Sequence, residues 1–210
     1  MLSAARQHCD RDVIRTASSA QPCTKKAEKF VLLAAILNPA DAASPFKKSS
    51  GNRLLHVPSN IVFPGKIGLF NRIDTHVYGS GGRDVSARYQ LDAFIVGDVY
   101  VYPVGTYAPD LNGEFRVQQN AIREKNKNVK LVAETTIQTS QNGRTITGRK
   151  ATYDLVRGLF GEPPHQCGSQ LLLFRDGPWF VAYRFSYPSE RSAIAIKHLS
   201  DFREQWEWRE

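Results

Sequence analysis

The stretch "KLVAETTIQTSQNGRTITGRKATYDLV" (130–156) constrains this chain most. Two runs with alternating character flank Asn142-Gly143, and an Asn-Gly step between alternating runs is a strong hairpin signal, because both residues accept the positive φ that a tight turn needs. A second hairpin is read in "SQLLLFRDGPWFVAYRFSY" (169–187), turning at Asp176-Gly177-Pro178. Its second strand puts Trp179, Val181, Tyr183, Phe185 and Tyr187 on one face. Consecutive hairpins mean an antiparallel sheet.

Upstream, "VSARYQL" (85–91) alternates as a half-buried strand, with Val85, Ala87, Tyr89 and Leu91 facing one way. "DVYVYPV" (98–104) is rich in β-branched and aromatic residues, and Pro103 marks its end. "YGSGGRD" (78–84) lacks the Lys-Ser/Thr ending of a phosphate loop and reads as a turn between strands. Two helices are expected. One covers 110–128, capped by Asp110, with Leu111, Phe115, Gln118 and Ile122 on one stripe. The other covers about 189–207, capped by Ser189, with a stripe of Ala195, Leu199, Phe202 and Trp206. The expected fold is α+β: one antiparallel β-sheet with two amphipathic helices packed on it.

The N-terminal part is different. Lys25, Lys26 and Lys29 precede an apolar run, Phe30–Leu37, which is followed by Asn38-Pro39 and by Ala40-Asp41-Ala42. A basic start, a short apolar centre and small residues two apart describe a secretory signal peptide. The run is about half the length of the ~20 apolar residues that a membrane span needs, so no permanent anchor is expected. The expected organisation is a leader over 1–43 with a signal-like segment at 25–42, a polar linker over 44–59, and one α+β domain over 60–210. Because residues 1–24 are an unusual preface to a signal peptide, translation is expected to start downstream of Met1. The expected location is periplasmic or secreted, and cytoplasmic if 25–42 is not a signal.

Of the three cysteines, Cys9, Cys23 and Cys167, only Cys167 follows that segment, so the exported part has no internal disulfide. The net charge of +8 comes from 28 basic and 20 acidic residues spread along the chain. That balance suits an anionic partner but is equally a solubility feature. Arg144, Arg149 and Lys150 beside the Asn-Gly turn, with Tyr100, Tyr102, Tyr107, Trp179 and Tyr183, have the composition of a single-strand binding face. An export signal argues against nucleic acid.

No catalytic, cofactor-binding or metal-ligating residue is nominated, and no cofactor is expected. His165-Gln166-Cys167, after "GEPP", brings two soft ligands close on an expected loop, but a metal site needs three or four. A Cys–His nucleophile pair lacks an orienting third group. Asp98, Glu134 and Asp154 lie in strands, and their spacing alone defines no acid–base pair.

"IVFPGKIGLFNRIDTHVYGSGGRDVSARYQL" (61–91), "VYVYP" (99–103), "DGPWFVAYRFSYP" (176–188) and the closing helix ending in Trp206 resemble a group of uncharacterised exported bacterial proteins. That group is similar in element order to the PsbP-like fold, an antiparallel sheet flanked by helices. The resemblance covers about residues 60–208. It implies an accessory or adaptor role, not an enzyme, and transfers no catalytic residue. The expected function is an exported non-enzymatic binding domain with an unknown protein or envelope partner. Behind it stand a small-ligand or lipid-binding module, based on the aromatic-rich sheet face, and an enzyme using His165 or Cys167.

Overall fold

Eleven strands and two α-helices make up the computed structural model, which describes residues 44–141, 143–159 and 161–208. The signal-like segment 25–42 lies outside the described residues. Strands β1 (Phe46–Ser49), β2 (Arg53–His56) and β3 (Ile61–Phe63) form a three-stranded antiparallel sheet. Strands β4 (Lys66–Ile67), β5 (Phe70–Tyr78), β6 (Asp84–Leu91) and β7 (Ile95–Pro103) form a meander. Helix α1 (Leu111–Lys125) leads to a second meander of β8 (Lys127–Gln141), β9 (Arg144–Arg157), β10 (His165–Asp176) and β11 (Trp179–Pro188). A 3-10 turn (Ser189–Arg191) and α2 (Ser192–Glu204) follow. Pairing of β11 with β7 joins the meanders into one eight-stranded antiparallel sheet in the order β4-β5-β6-β7-β11-β10-β9-β8.

That order explains α1. The chain leaves β7 in mid-sheet and must reach β8 at the far edge, four strand positions or about 19 Å away. A 15-residue helix is about 22 Å long and spans that gap. Asp110 starts it as the sequence predicts, its side chain accepting from the amides of Asn112 (3.0 Å) and Gly113 (2.9 Å). Glu114, Phe115, Gln119 and Ile122 are its buried residues. Phe115 and Ile122 belong to the expected stripe, whereas Gln118 is only half-buried.

Side-chain alternation along a strand sends neighbours to opposite faces, and here the faces have separate cores. Leu171, Leu173, Phe180, Ala182, Ala151, Tyr153 and Leu155 pack with Phe115 and Ile122 of α1. Leu172, Phe174, Val181, Tyr183, Phe185 and Tyr187 pack on the other side with Ala195, Leu199 and Phe202 of α2, with Trp206 and Trp208, and with Ile61 and Phe63 of the small sheet. Rings on this side seat on glycines of neighbouring strands. Gly97 and Gly148 lie opposite Phe185 and Phe174, and a Cβ added at either would come 2.2 Å or 2.5 Å from the ring.

The expected α+β arrangement, two amphipathic helices packed on one antiparallel sheet, is therefore corrected. Strands dominate, there are two sheets, and the helices lie on opposite faces of the larger one. The amphipathic stripes state that each helix buries a face, but not which side of the sheet receives it.

Three local expectations also change. Residues 44–59, expected as a polar linker, contain β1 and β2. Their hairpin turns through Gly51 and Asn52 at positive φ, and their polar outward side chains hide the pattern while His56 is fully buried. His165 begins β10 instead of lying on a loop. Ser189 makes no side-chain cap: the Ser192 hydroxyl donates to the Ser189 carbonyl (2.6 Å), and α2 starts without a capping side chain. Trp206 of the expected stripe is buried beyond the end of α2.

Candidate functional site

Because α1 spans only from β7 to β8, it leaves the same sheet face uncovered over β5, β6 and β7. Register places Asp74, Arg88, Asp98 and Arg184 opposite one another across four adjacent strands. The signs alternate, the favourable order for directly opposed side chains. Arg88 grips Asp98 with two hydrogen bonds, Nε to Oδ1 (2.8 Å) and Nη2 to Oδ2 (3.2 Å). This pairing is the chief cause that raises the Arg88 pKa. The next row brings His76 opposite Ser86 and Ser86 opposite Tyr100. The Tyr78 hydroxyl lies 3.3 Å from Ser86 Oγ, and burial raises the Tyr100 pKa. The result is a polar cleft of about 200 Å³ lined by Asp74, Thr75, His76, Tyr78, Ser86, Arg88 and Asp98. Of its charged side chains, Asp98 is neutralised by Arg88.

A larger recess, of about 400 Å³, opens where β10 begins and β11 ends. Its apolar walls are Phe94, Pro163, Pro164 and Pro188, and Glu162, His165, Gln166 and Glu190 complete the lining. Prolines fix their own φ, so three of the wall residues are held in shape before anything binds. His165 Nδ1 is 3.1 Å from the Pro163 carbonyl. A carbonyl only accepts, so Nδ1 carries a proton, and in the neutral ring Nε2 is the acceptor. Beside the recess, the Arg191 guanidinium carbon lies 3.9 Å from the Phe94 ring centroid, and Arg191 reaches Asp92 at 3.4 Å.

The residues weighed from the sequence are mostly dispersed. Cys167 is buried and its Sγ approaches the Arg157 carbonyl at 3.7 Å. Burial pushes its thiol pKa up, which disfavours the nucleophilic thiolate. His165 is engaged with Pro163. Asp98 is paired with Arg88, and Glu134 takes bonds from Arg149 and from Gln119 Nε2 (2.8 Å). Asp98 on β7 stands three strand positions from Asp154 on β9 and four from Glu134 on β8, at least about 14 Å apart, too far to act together on one bond. Among the described residues no group of three or more His, Cys, Asp or Glu side chains could hold a metal.

The basic and aromatic residues form no stacking face. Arg144 binds the buried Asp176 (2.6 Å). Arg149 turns toward α1, bonding Asn112 (2.6 Å) and lying over Phe115. Lys150 points to the opposite side, where burial and Arg203 lower its pKa. Tyr102, Trp179 and Tyr183 are core residues. The recess was missed because its walls come from three separate segments. Only the run Glu162–Gln166 signals it in sequence.

No helix among the described residues is long and apolar enough to cross a membrane. No protein-family model matches the chain, and no curated protein matches it. Among solved structures, the chain is similar to the cyanobacterial PsbP (CyanoP) of Synechocystis sp. PCC 6803, with a TM-score of 0.43 and 11% identity over 70% of this chain and 84% of that one. It is also similar to a Pseudomonas aeruginosa protein of unknown function, with a TM-score of 0.43 and 8% identity over 79% of this chain and 96% of that one.

Proposed function

We propose that this chain is an exported, non-enzymatic accessory domain that binds a protein partner in the cell envelope. The observation that carries the proposal is the proline-walled recess. At about 400 Å³ it falls within the usual size of binding pockets, and its shape is set by rigid residues, so little ordering cost attends binding. The dispersal of Asp98, Glu134, Asp154 and Cys167 over separate strands and faces supports binding over catalysis. The signal-like segment 25–42 supports export.

Two experiments test this. Intact mass of the protein from fractionated native cells is expected to give a chain beginning near Ala43 in the envelope fraction; a full-length cytoplasmic chain refutes export. A photo-crosslinking residue at Gln166 is expected to capture one defined protein that the same residue at Thr139, on the distant edge strand, does not. Equal capture from both positions refutes the recess as the docking point. A second reading, a small-ligand module, rests on the volume of the recess. The aromatic sheet face first suggested for such a ligand is closed, since Tyr183, Phe185 and Tyr187 are packed under α2.

A further inference from the structure

We infer that the recess receives a cationic side chain, an arginine or lysine of the bound protein. This rests on the binding reading above and specifies its chemistry. The first argument is charge. The chain carries +8 overall, yet the recess is lined by Glu162 and Glu190 with no lysine or arginine among its lining residues. Two flanking arginines are already engaged: Arg157, opposite His165 in the sheet, directs Nη1 to Ser186 Oγ (3.2 Å), and Arg191 lies on the Phe94 ring with Asp92 as its counter-ion.

The second argument is hydrogen-bond capacity. Pro163, Pro164 and Pro188 have no backbone N–H. The wall they form can accept at its carbonyls but cannot donate at these positions. His165 adds an acceptor at Nε2, and two carboxylates accept only. Gln166 supplies the side-chain amide donors. A lining rich in acceptors and poor in donors suits a group with many donors, no acceptor and an apolar stem, which describes arginine and lysine.

The third argument is that the protein already shows the contact. Arg191 holds its guanidinium 3.9 Å from the Phe94 centroid with Asp92 as its counter-ion. Phe94 in this setting is thus a working cation platform, and an incoming arginine meets the same ring from the recess or displaces Arg191 from it.

The test uses capped peptides followed by amide NMR shifts of the isotope-labelled full chain. Acetyl-Gly-Gly-Arg-Gly-Gly-amide is expected to shift the amides of Phe94, Glu162, His165, Gln166, Ser189, Glu190 and Arg191. The citrulline peptide, of the same shape but neutral, is expected to bind about fivefold more weakly, the scale of two partly exposed charge contacts plus a cation–π contact. The E162Q/E190Q variant should reduce the preference for arginine to the cation–π part supplied by Phe94 while leaving the rest of the spectrum in place, since both side chains are exposed. Equal affinity for the two peptides, shifts scattered over the molecule, or an unchanged preference in the variant would each overturn the inference. The outcomes separate the two claims. A protein captured at Gln166 together with equal peptide affinities leaves the binding reading standing and removes the cation. Arginine preference without a captured protein does the reverse.

Discussion

The two faces of the eight-stranded sheet solve burial differently. Under α2 the solution is aromatic. Phe202 alone meets Phe70, Tyr89, Tyr183, Phe185 and Trp206 with ring centroids 5.1 to 6.1 Å apart, mostly edge to face. Under α1 the core is more aliphatic and carries a buried polar knot. Tyr102 donates to Glu114 Oε1 (2.8 Å), and Gln118 Nε2 donates both to that oxygen (2.8 Å) and to the Tyr102 hydroxyl (3.0 Å). Beyond the end of α1 the same face turns into an alternating charge ladder. The lesson is that cover decides chemistry: where a helix and a second sheet exclude water, rings fill the space, and where the helix stops, opposite charges pair in solvent.

Removing the centre of the aromatic side should cost most. Phe202→Ala is expected to destabilise the protein by about 3–5 kcal/mol, the usual range for emptying a buried aromatic site. Urea denaturation measures it, and a loss below about 1 kcal/mol would mean that the rings are not the main source of cohesion. The contrast between the faces sharpens with two tyrosines. Tyr102→Phe removes a hydroxyl bonded to a buried carboxylate and should cost about 1–2 kcal/mol. Tyr183→Phe removes a fully buried hydroxyl with no hydrogen-bond partner among the described residues, so it should leave stability unchanged or slightly raised. If the two variants behave alike, the faces do not differ as described.

The small sheet is tied to the large one by His56, whose Nδ1 lies 2.7 Å from Ser59 Oγ and whose Nε2 lies 2.8 Å from the Gly82 carbonyl. Burial lowers its pKa below the ordinary 6.5, against an opposing pull from Gly82. With the folded value depressed, the unfolded chain binds the proton more readily, so this contribution is intact above pH 6.5 and is lost as pH falls through the folded value. Thermal unfolding followed from pH 7.5 downward should show that decline, and His56→Gln should flatten it. An equally steep decline in the variant would assign the effect to other groups. The smallest effect is expected on the open ladder. Arg88→Ala should cost less than about 1 kcal/mol, since its side chain is half exposed and water screens the pair. A larger loss would show the ladder to be structural.

Much of the large sheet was legible before the structure. Val85–Leu91 alternates because Val85, Ala87 and Tyr89 are buried while Arg88 opens to solvent, and Gly143 and Gly177 sit between paired strands. The short strands Phe46–Ser49 and Arg53–His56 were not legible. Four residues give too few periods to show alternation, and "FKKS" exposes nearly all of its side chains. The candidate site was less legible still. His165, Glu162, Pro163 and Pro164 are neighbours in sequence, but Pro188 and Glu190 reach the recess through the β10–β11 pairing and Phe94 only because β7 pairs with β11 at mid-sheet.

Local pattern by itself therefore determined the long strands of the large sheet, where their hairpins turn, that Asp110 starts a helix, and that Phe115, Ile122, Ala195, Leu199 and Phe202 are buried. These follow from backbone sterics and from the period of side-chain exposure, which neighbours along the chain express directly. Only the tertiary structure decided that the meanders join through β7 and β11, that α1 and α2 take opposite faces, and that two glutamates and three prolines close round one recess. Those outcomes depend on which long-range pairing buries the most apolar surface without stranding polar groups, a property of the whole chain that no short stretch encodes.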